Sequence, residues 1–274
     1  MLGLSSALSW GTGDFLGGFA SKKQPVITVM LVSQLAGAVM LLGLALLLRE
    51  PWPLGRDLAL GGVAGVAGMA ALATFYKGLS VGRMGVVAPL AAVTTAVLPV
   101  LTAFVTLGWP AMWQLVGFGL ALVAVWLLSG GGRRSLTAVT RAELAFALLA
   151  GLGFGIFFVL IGATSPGAVF WPLVAARSAS LLTLTTIALT RGGWVRPRGR
   201  DFFLLVLAGL FDAGGNAFYA LAVEYGRLDI AAVLASLYPA STVLLARIFL
   251  NERLNRLQWV GVGLALVALV FIAL

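Results

Sequence analysis

A stretch of eleven residues, Gln114-Leu-Val-Gly-Phe-Gly-Leu-Ala-Leu-Val-Ala124, returns 144 residues later as Gln258-Trp-Val-Gly-Val-Gly-Leu-Ala-Leu-Val-Ala268, with nine of the eleven positions identical. Gly82-Arg83 returns as Gly226-Arg227 at the same offset. The register therefore holds from before one apolar segment to the end of the next. Internal repetition over half a chain means two related units, each built from the same succession of elements. When those elements are almost wholly apolar, the pattern is that of a carrier made from two repeats in a membrane.

Composition points the same way. Of the 274 residues, 61% are apolar and only 10% are charged, against about 25% charged in an ordinary soluble domain. Ten apolar runs are separated by charged or Gly/Pro breaks, at roughly 2–20, 25–48, 57–79, 84–107, 111–129, 142–163, 167–190, 201–223, 228–250 and 257–274. Each approaches the length of about 20 residues that a helix needs to cross a bilayer. The expected fold is an all-α integral membrane protein with ten transmembrane helices in two five-helix repeats. Residues 1–129 form the first repeat, 130–141 the connection and 142–274 the second. Five is odd, so the second repeat enters the membrane inverted with respect to the first. The first run starts at Leu2 with no basic residue before it and reads as a retained helix rather than a cleaved leader.

The formal charge of +9 does not mark a nucleic-acid binder. Lys and Arg sit mainly in short connections, where phospholipid headgroups meet them. No cysteine or histidine is present. That removes thiol chemistry and the usual zinc and haem ligands, so neither a metal site nor a cofactor is expected. If protons move through this chain, carboxylates must carry them. There is no phosphate-binding loop for direct ATP drive and no nucleophile–base set, which argues against an enzyme.

Several motifs in a fixed order resemble the EamA branch of the drug/metabolite transporter superfamily. They are Trp10-Gly11-Thr12-Gly13-Asp14-Phe15 in the first run, Phe75-Tyr76-Lys77-Gly78-Leu79 in the third, and Ala231-Ala-Val-Leu-Ala-Ser-Leu-Tyr-Pro239 in the ninth. Leu250-Asn-Glu252-Arg253-Leu254 with Gln258 follows the ninth. The resemblance covers essentially the whole chain. It implies a ten-helix carrier with inverted halves that exports amino acids and other small metabolites from a bacterial cell, across the inner membrane. The chain departs from the family's Gly-Glu-Arg-Leu element at Gly108-Trp109-Pro110, and Asn251 replaces its usual Gly. The alternatives are a multidrug or cation exporter and, in a different class, a non-transporting membrane subunit or enzyme.

An ionisable group at mid-membrane costs about 2.5–3.5 kcal/mol on insertion scales, so each one inside a span needs a partner, water or a function. Asp14, Arg177 and Asp212 lie well inside their runs. Lys77 and Arg247 lie nearer the ends, where snorkelling to headgroups accounts for them. Asp14 shares its run with Ser5, Ser6, Ser9 and Thr12 and is the candidate for substrate binding or proton coupling. The small multidrug transporters of the same superfamily use a first-helix carboxylate in that way. A structural ion pair with Lys77 or Arg177 is the alternative. Arg177 matches Gln34 at an offset of 143. It could clasp a substrate carboxylate or neutralise Asp212 or Asp14. Asp212, Asn216 and Tyr219 recur at one-face helical spacing. The candidate substrate-binding set is therefore Trp10, Asp14, Gln34, Tyr76, Arg177, Asp212, Asn216 and Tyr219. Trp52, Trp109, Trp113, Trp194 and Trp259 read as interface anchors. The expected partners are a small-molecule substrate, the lipid bilayer and protons.

Loop charges conflict with the resemblance on orientation. Lys and Arg concentrate after odd-numbered runs, which by the positive-inside rule puts both termini outside, whereas the resemblance implies cytoplasmic termini.

Overall fold

The computed structural model describes residues 1–82, 84–128, 140–242, 245 and 256–273. Arg83, Arg247, the 130–139 join and the Asn251–Arg253 element lie outside the described residues. No strand occurs among the described residues. In a bilayer the backbone must satisfy its own polar groups, and an apolar chain does this by becoming helical. The helices are α1 (Leu2–Ala20), α2 (Val26–Leu47), α3 (Gly55–Val81), α4 (Met84–Thr106) and α5 (Met112–Leu128), then α6 (Arg141–Gly162), α7 (Phe170–Arg191), α8 (Arg200–Glu224), α9 (Leu228–Ala235) and α10 (Arg256–Ala273). From α1 to α8 their ends fall within three residues of the apolar runs read from the sequence.

Five of these helices, α2, α3, α6, α7 and α8, are long and apolar enough to cross a membrane by length and composition. Their outer faces carry bare hydrophobic side chains such as Val39, Val63, Leu149, Leu182 and Phe203. No water-facing helix could sustain that exposure, whereas lipid welcomes it. α1 has the length, but its serines, glycines and Asp14 lower its hydropathy, and Ser6, Ser9 and Asp14 are buried. A polar helix in this setting must turn inward.

The ninth apolar run is not one helix. α9 stops at Ala235, Ser236 and Leu237 form a turn, and helix resumes at Tyr238 through Thr242. Pro239 has no N–H to offer the Ala235 carbonyl, which breaks the ladder at this level.

The pairing of helices crosses between the two halves. α1 packs on α8 and α3 on α6; α2 packs on α8 and α3 on α7; α4 lies against α6 and α1 against α9; α5 pairs with α10. Each pairing recurs when a helix is exchanged for the one five places on. The closest crossings use glycine. A Cβ at Gly65 would run into the Ala176 carbonyl, and one at Gly209, 144 residues on, into the Ser33 carbonyl. In lipid, such backbone approach supplies the van der Waals contact that holds helices together. Ser180 Oγ adds a buried hydrogen bond to the Gly65 carbonyl at 2.8 Å.

Candidate functional site

These crossings leave a cavity between the halves. Its walls come from α1, α2, α3, α4, α6, α7 and α8, and from Tyr238 just beyond the break after α9. Each half contributes. α1 brings Trp10 and Asp14, which are one turn apart and so share a face. α2 brings Gln34; α7 brings Arg177 and Ser180; α8 brings Asp212 and Asn216, again one turn apart. α6 supplies Phe154, Phe157 and Phe158.

The charged groups are unequally served. Arg177 donates from Nη1 to Gln34 Oε1 at 2.5 Å and from Nη2 to Asp212 Oδ2 at 2.6 Å. Its side chain is only 7% exposed. Asn216 Nδ2 donates to the Asp212 main-chain carbonyl at 2.8 Å, which steadies the same turn of α8. Asp14 is equally buried, at 9% exposure, yet makes no hydrogen bond or ion pair among the described residues. Lys77, one of its candidate partners from the sequence, is exposed. Arg177, the other, is taken by Asp212. Among the described residues two carboxylates and one guanidinium face the cavity, so one negative charge there is uncompensated when both acids are ionised.

Six of the eight candidate residues, Trp10, Asp14, Gln34, Arg177, Asp212 and Asn216, line this one cavity. Tyr76 and Tyr219 stand behind its wall. Tyr219 is fully buried, stacks on Phe158 at 4.2 Å between ring centres and donates its hydroxyl to the Phe158 carbonyl at 3.1 Å. Phe158 in turn stacks on Trp10 at 5.2 Å. Tyr76 is buried with its hydroxyl over Gly17 of α1, where any larger residue would collide with it. Phe154, Phe157, Phe158, Thr95, Ser180 and Tyr238 line the cavity without having been singled out in the sequence. Nothing in an apolar run marks a phenylalanine as cavity-facing rather than lipid-facing. Tyr238 did carry a signal, its place directly before an in-span proline.

One end of the molecule is tied by carboxylates. Glu50, in the α2–α3 connection, accepts from the backbone N–H groups of Val169, Phe170 and Trp171 at the start of α7. Asp57 accepts from Ser165 N and Oγ, and Glu224 from Gly167 N. The free N–H groups at a helix start favour an anion there. Burial nonetheless raises the Glu50 pKa above its ordinary value; the three N–H donors oppose that shift and nearby Glu224 adds to it.

The sequence profile of the EamA-like transporter family matches in two stretches, residues 1–130 and 141–274. The chain belongs to this family. It is an integral, multi-pass membrane protein. It is similar to a probable terminal-alkyne amino-acid exporter of Streptantibioticus cattleyicolor, with 36% identity over 101 residues. That match takes in 34% of this chain and 33% of the relative, so it spans about a third of each. A crystal structure described only as that of a "protein" superposes with a TM-score of 0.77 at 15% identity, over 98% of this chain and 94% of the other. That likeness concerns the fold.

Proposed function

We propose that this EamA-family protein is a secondary transporter of the bacterial inner membrane that exports small amphiphilic metabolites, amino acids foremost. In this reading ten transmembrane helices form two inverted five-helix repeats, residues 1–129 and 142–274, joined by 130–141. Substrate binds in the cavity between them and is exposed to one side, then the other. The observation that carries the reading is the cavity itself: it is built by both halves, walled by aromatic rings and furnished with a buried carboxylate that has no partner among the described residues. The exchange symmetry of the helix pairings supports inverted repeats, because such repeats offer two nearly equivalent packings. The partial match to an amino-acid exporter supports the substrate class. The carboxylate ties of Glu50, Asp57 and Glu224 would close one end in this packing and part in the other.

Asp14 is the proposed coupling group, exchanging a proton for substrate. Arg177 and Asp212 act as a fixed pair that holds α2, α7 and α8 around the cavity. A cation exporter is the second reading, favoured by the uncompensated negative charge. The test is flux in liposomes that contain only this protein, with amino acids and with organic cations, with and without a pH gradient. Flux of neither class would remove the transporter reading and leave an accessory subunit.

A further inference from the structure

We infer that the group this cavity selects is an organic ammonium docked on Asp14, and that a carboxylate on the same substrate is tolerated rather than recognised. The inference rests on the transporter reading for its biological setting, but its argument is local. A buried ionised carboxylate is costly unless a cation or a proton meets it. Asp212 has its cation, Arg177, at 2.6 Å. Asp14 has none among the described residues, although it lines the same cavity. The only guanidinium in the wall among the described residues is already engaged on two sides, by Gln34 and Asp212. A free carboxylate entering the cavity would have to compete with Asp212 for Arg177 while facing the bare charge of Asp14. An ammonium faces the opposite balance. It would neutralise Asp14, and the ring of Trp10, one turn away and stacked on Phe158, offers an aromatic face of the kind that attracts cations.

A proton and an ammonium then compete for one site. The charged and titratable groups facing Asp14 from the packed elements are Asp212 of α8, Tyr76 of α3 and Tyr238 beyond α9, with Arg177 of α7 across the cavity. None of them supplies Asp14 with a counter-charge in contact. Acidification should therefore weaken ammonium binding through Asp14 itself.

The test is direct binding to the full chain in lipid nanodiscs, by calorimetry, with three probes of similar shape. Phenethylamine carries only the ammonium, L-phenylalanine carries both charges, and 3-phenylpropanoate carries only the carboxylate. Phenethylamine should bind at least as tightly as phenylalanine, and 3-phenylpropanoate more weakly by about tenfold or more, the scale of a lost charged hydrogen bond. Asp14→Asn should weaken phenethylamine by a similar factor and abolish the pH dependence of its binding, whereas Asp14→Glu should keep both. If 3-phenylpropanoate binds as tightly as phenylalanine, the inference is overturned. The same holds if Asp14→Asn leaves phenethylamine unaffected, or if none of the three binds. Should Asp14→Asn fail to fold, the ranking of the three probes on the unmodified protein still decides. Binding of phenethylamine through Asp14 without any flux in liposomes would uphold the inference and sink the transporter reading. Equal flux of 3-phenylpropanoate would do the reverse.

Discussion

The two carboxylates of the cavity sit in the same compartment but in opposite circumstances. Asp212 on α8 is met by the buried Arg177, and Asn216 one turn on steadies its backbone. Asp14 on α1 is as well shielded, but no cation meets it among the described residues. Ser6 and Ser9, earlier on the same helix, spend their hydroxyls on the Gly215 and Phe211 carbonyls of α8. Those bonds fasten α1 to α8 and leave Asp14 open to the cavity. One acid is thus part of the scaffold and the other is available for work. Net charge near a site says little until the pairs have been assigned.

Four substitutions would break or sharpen that contrast. Arg177→Leu should have the largest effect. It leaves the partly buried Asp212 without its counter-ion, a change that costs up to about 3–5 kcal/mol where the remaining charge is fully buried. The expected outcome is poor folded yield and a large drop in thermal midpoint in detergent. Normal yield and normal transport would mean that the pair is dispensable. Asp212→Asn should cost less, about 1–3 kcal/mol, because Asn still offers Arg177 a carbonyl oxygen. Yield should fall moderately, and transport only in proportion to the protein that remains. A selective loss of transport with normal stability would place Asp212 on the working side of the comparison.

Asp14→Asn should leave the thermal midpoint nearly unchanged, since no pair is broken. Accumulation against a gradient should disappear, while downhill exchange, read separately in preloaded liposomes, should persist. Full pH-dependent accumulation in this variant would refute the coupling role. If stability and both activities fall together, Asp14 belongs to the scaffold after all. Glu50→Gln should be the mildest change. The Glu50 pKa lies above its unfolded value, so the folded state holds the proton more tightly. Its contribution to stability is therefore present at pH below the ordinary glutamate range and declines as pH rises through the raised value. The thermal midpoint of the unmodified protein should carry that slope just above the usual carboxylate range, and Glu50→Gln should flatten it. A slope unchanged in the variant would assign the effect to another acid.

Much of the cavity's polar side was legible along the chain. Asp14, Gln34, Arg177 and Asp212 announced themselves as polar residues in apolar runs, because an ionisable group facing lipid is too costly to persist. Asn216 followed from its one-turn spacing to Asp212, and Trp10 from its place in the first-run motif. The apolar side was silent. In water a buried phenylalanine stands out by its burial. In a bilayer Phe157 and Phe211 are equally apolar neighbours to lipid or to protein, and only one of them lines the cavity. Tyr76 and Tyr219 were expected in the site, yet both rings pack behind the wall.

The sequence by itself determined the solvent of this protein, the helical segments that suit it, and the repeated order in which they follow. Hydropathy and its breaks act locally, so they survive without a fold. Tertiary structure alone decided who faces whom. Whether Arg177 would answer Asp14 or Asp212 depended on how α7 and α8 cross their neighbours, with Gly65 bringing α3 against α7 and Gly209 bringing α8 against α2. The grip of Glu50 on the start of α7, 119 residues away, depended on two connections meeting at one end of the bundle. Both are long-range pairings, and a residue's chemistry states what it needs without naming which distant segment will supply it.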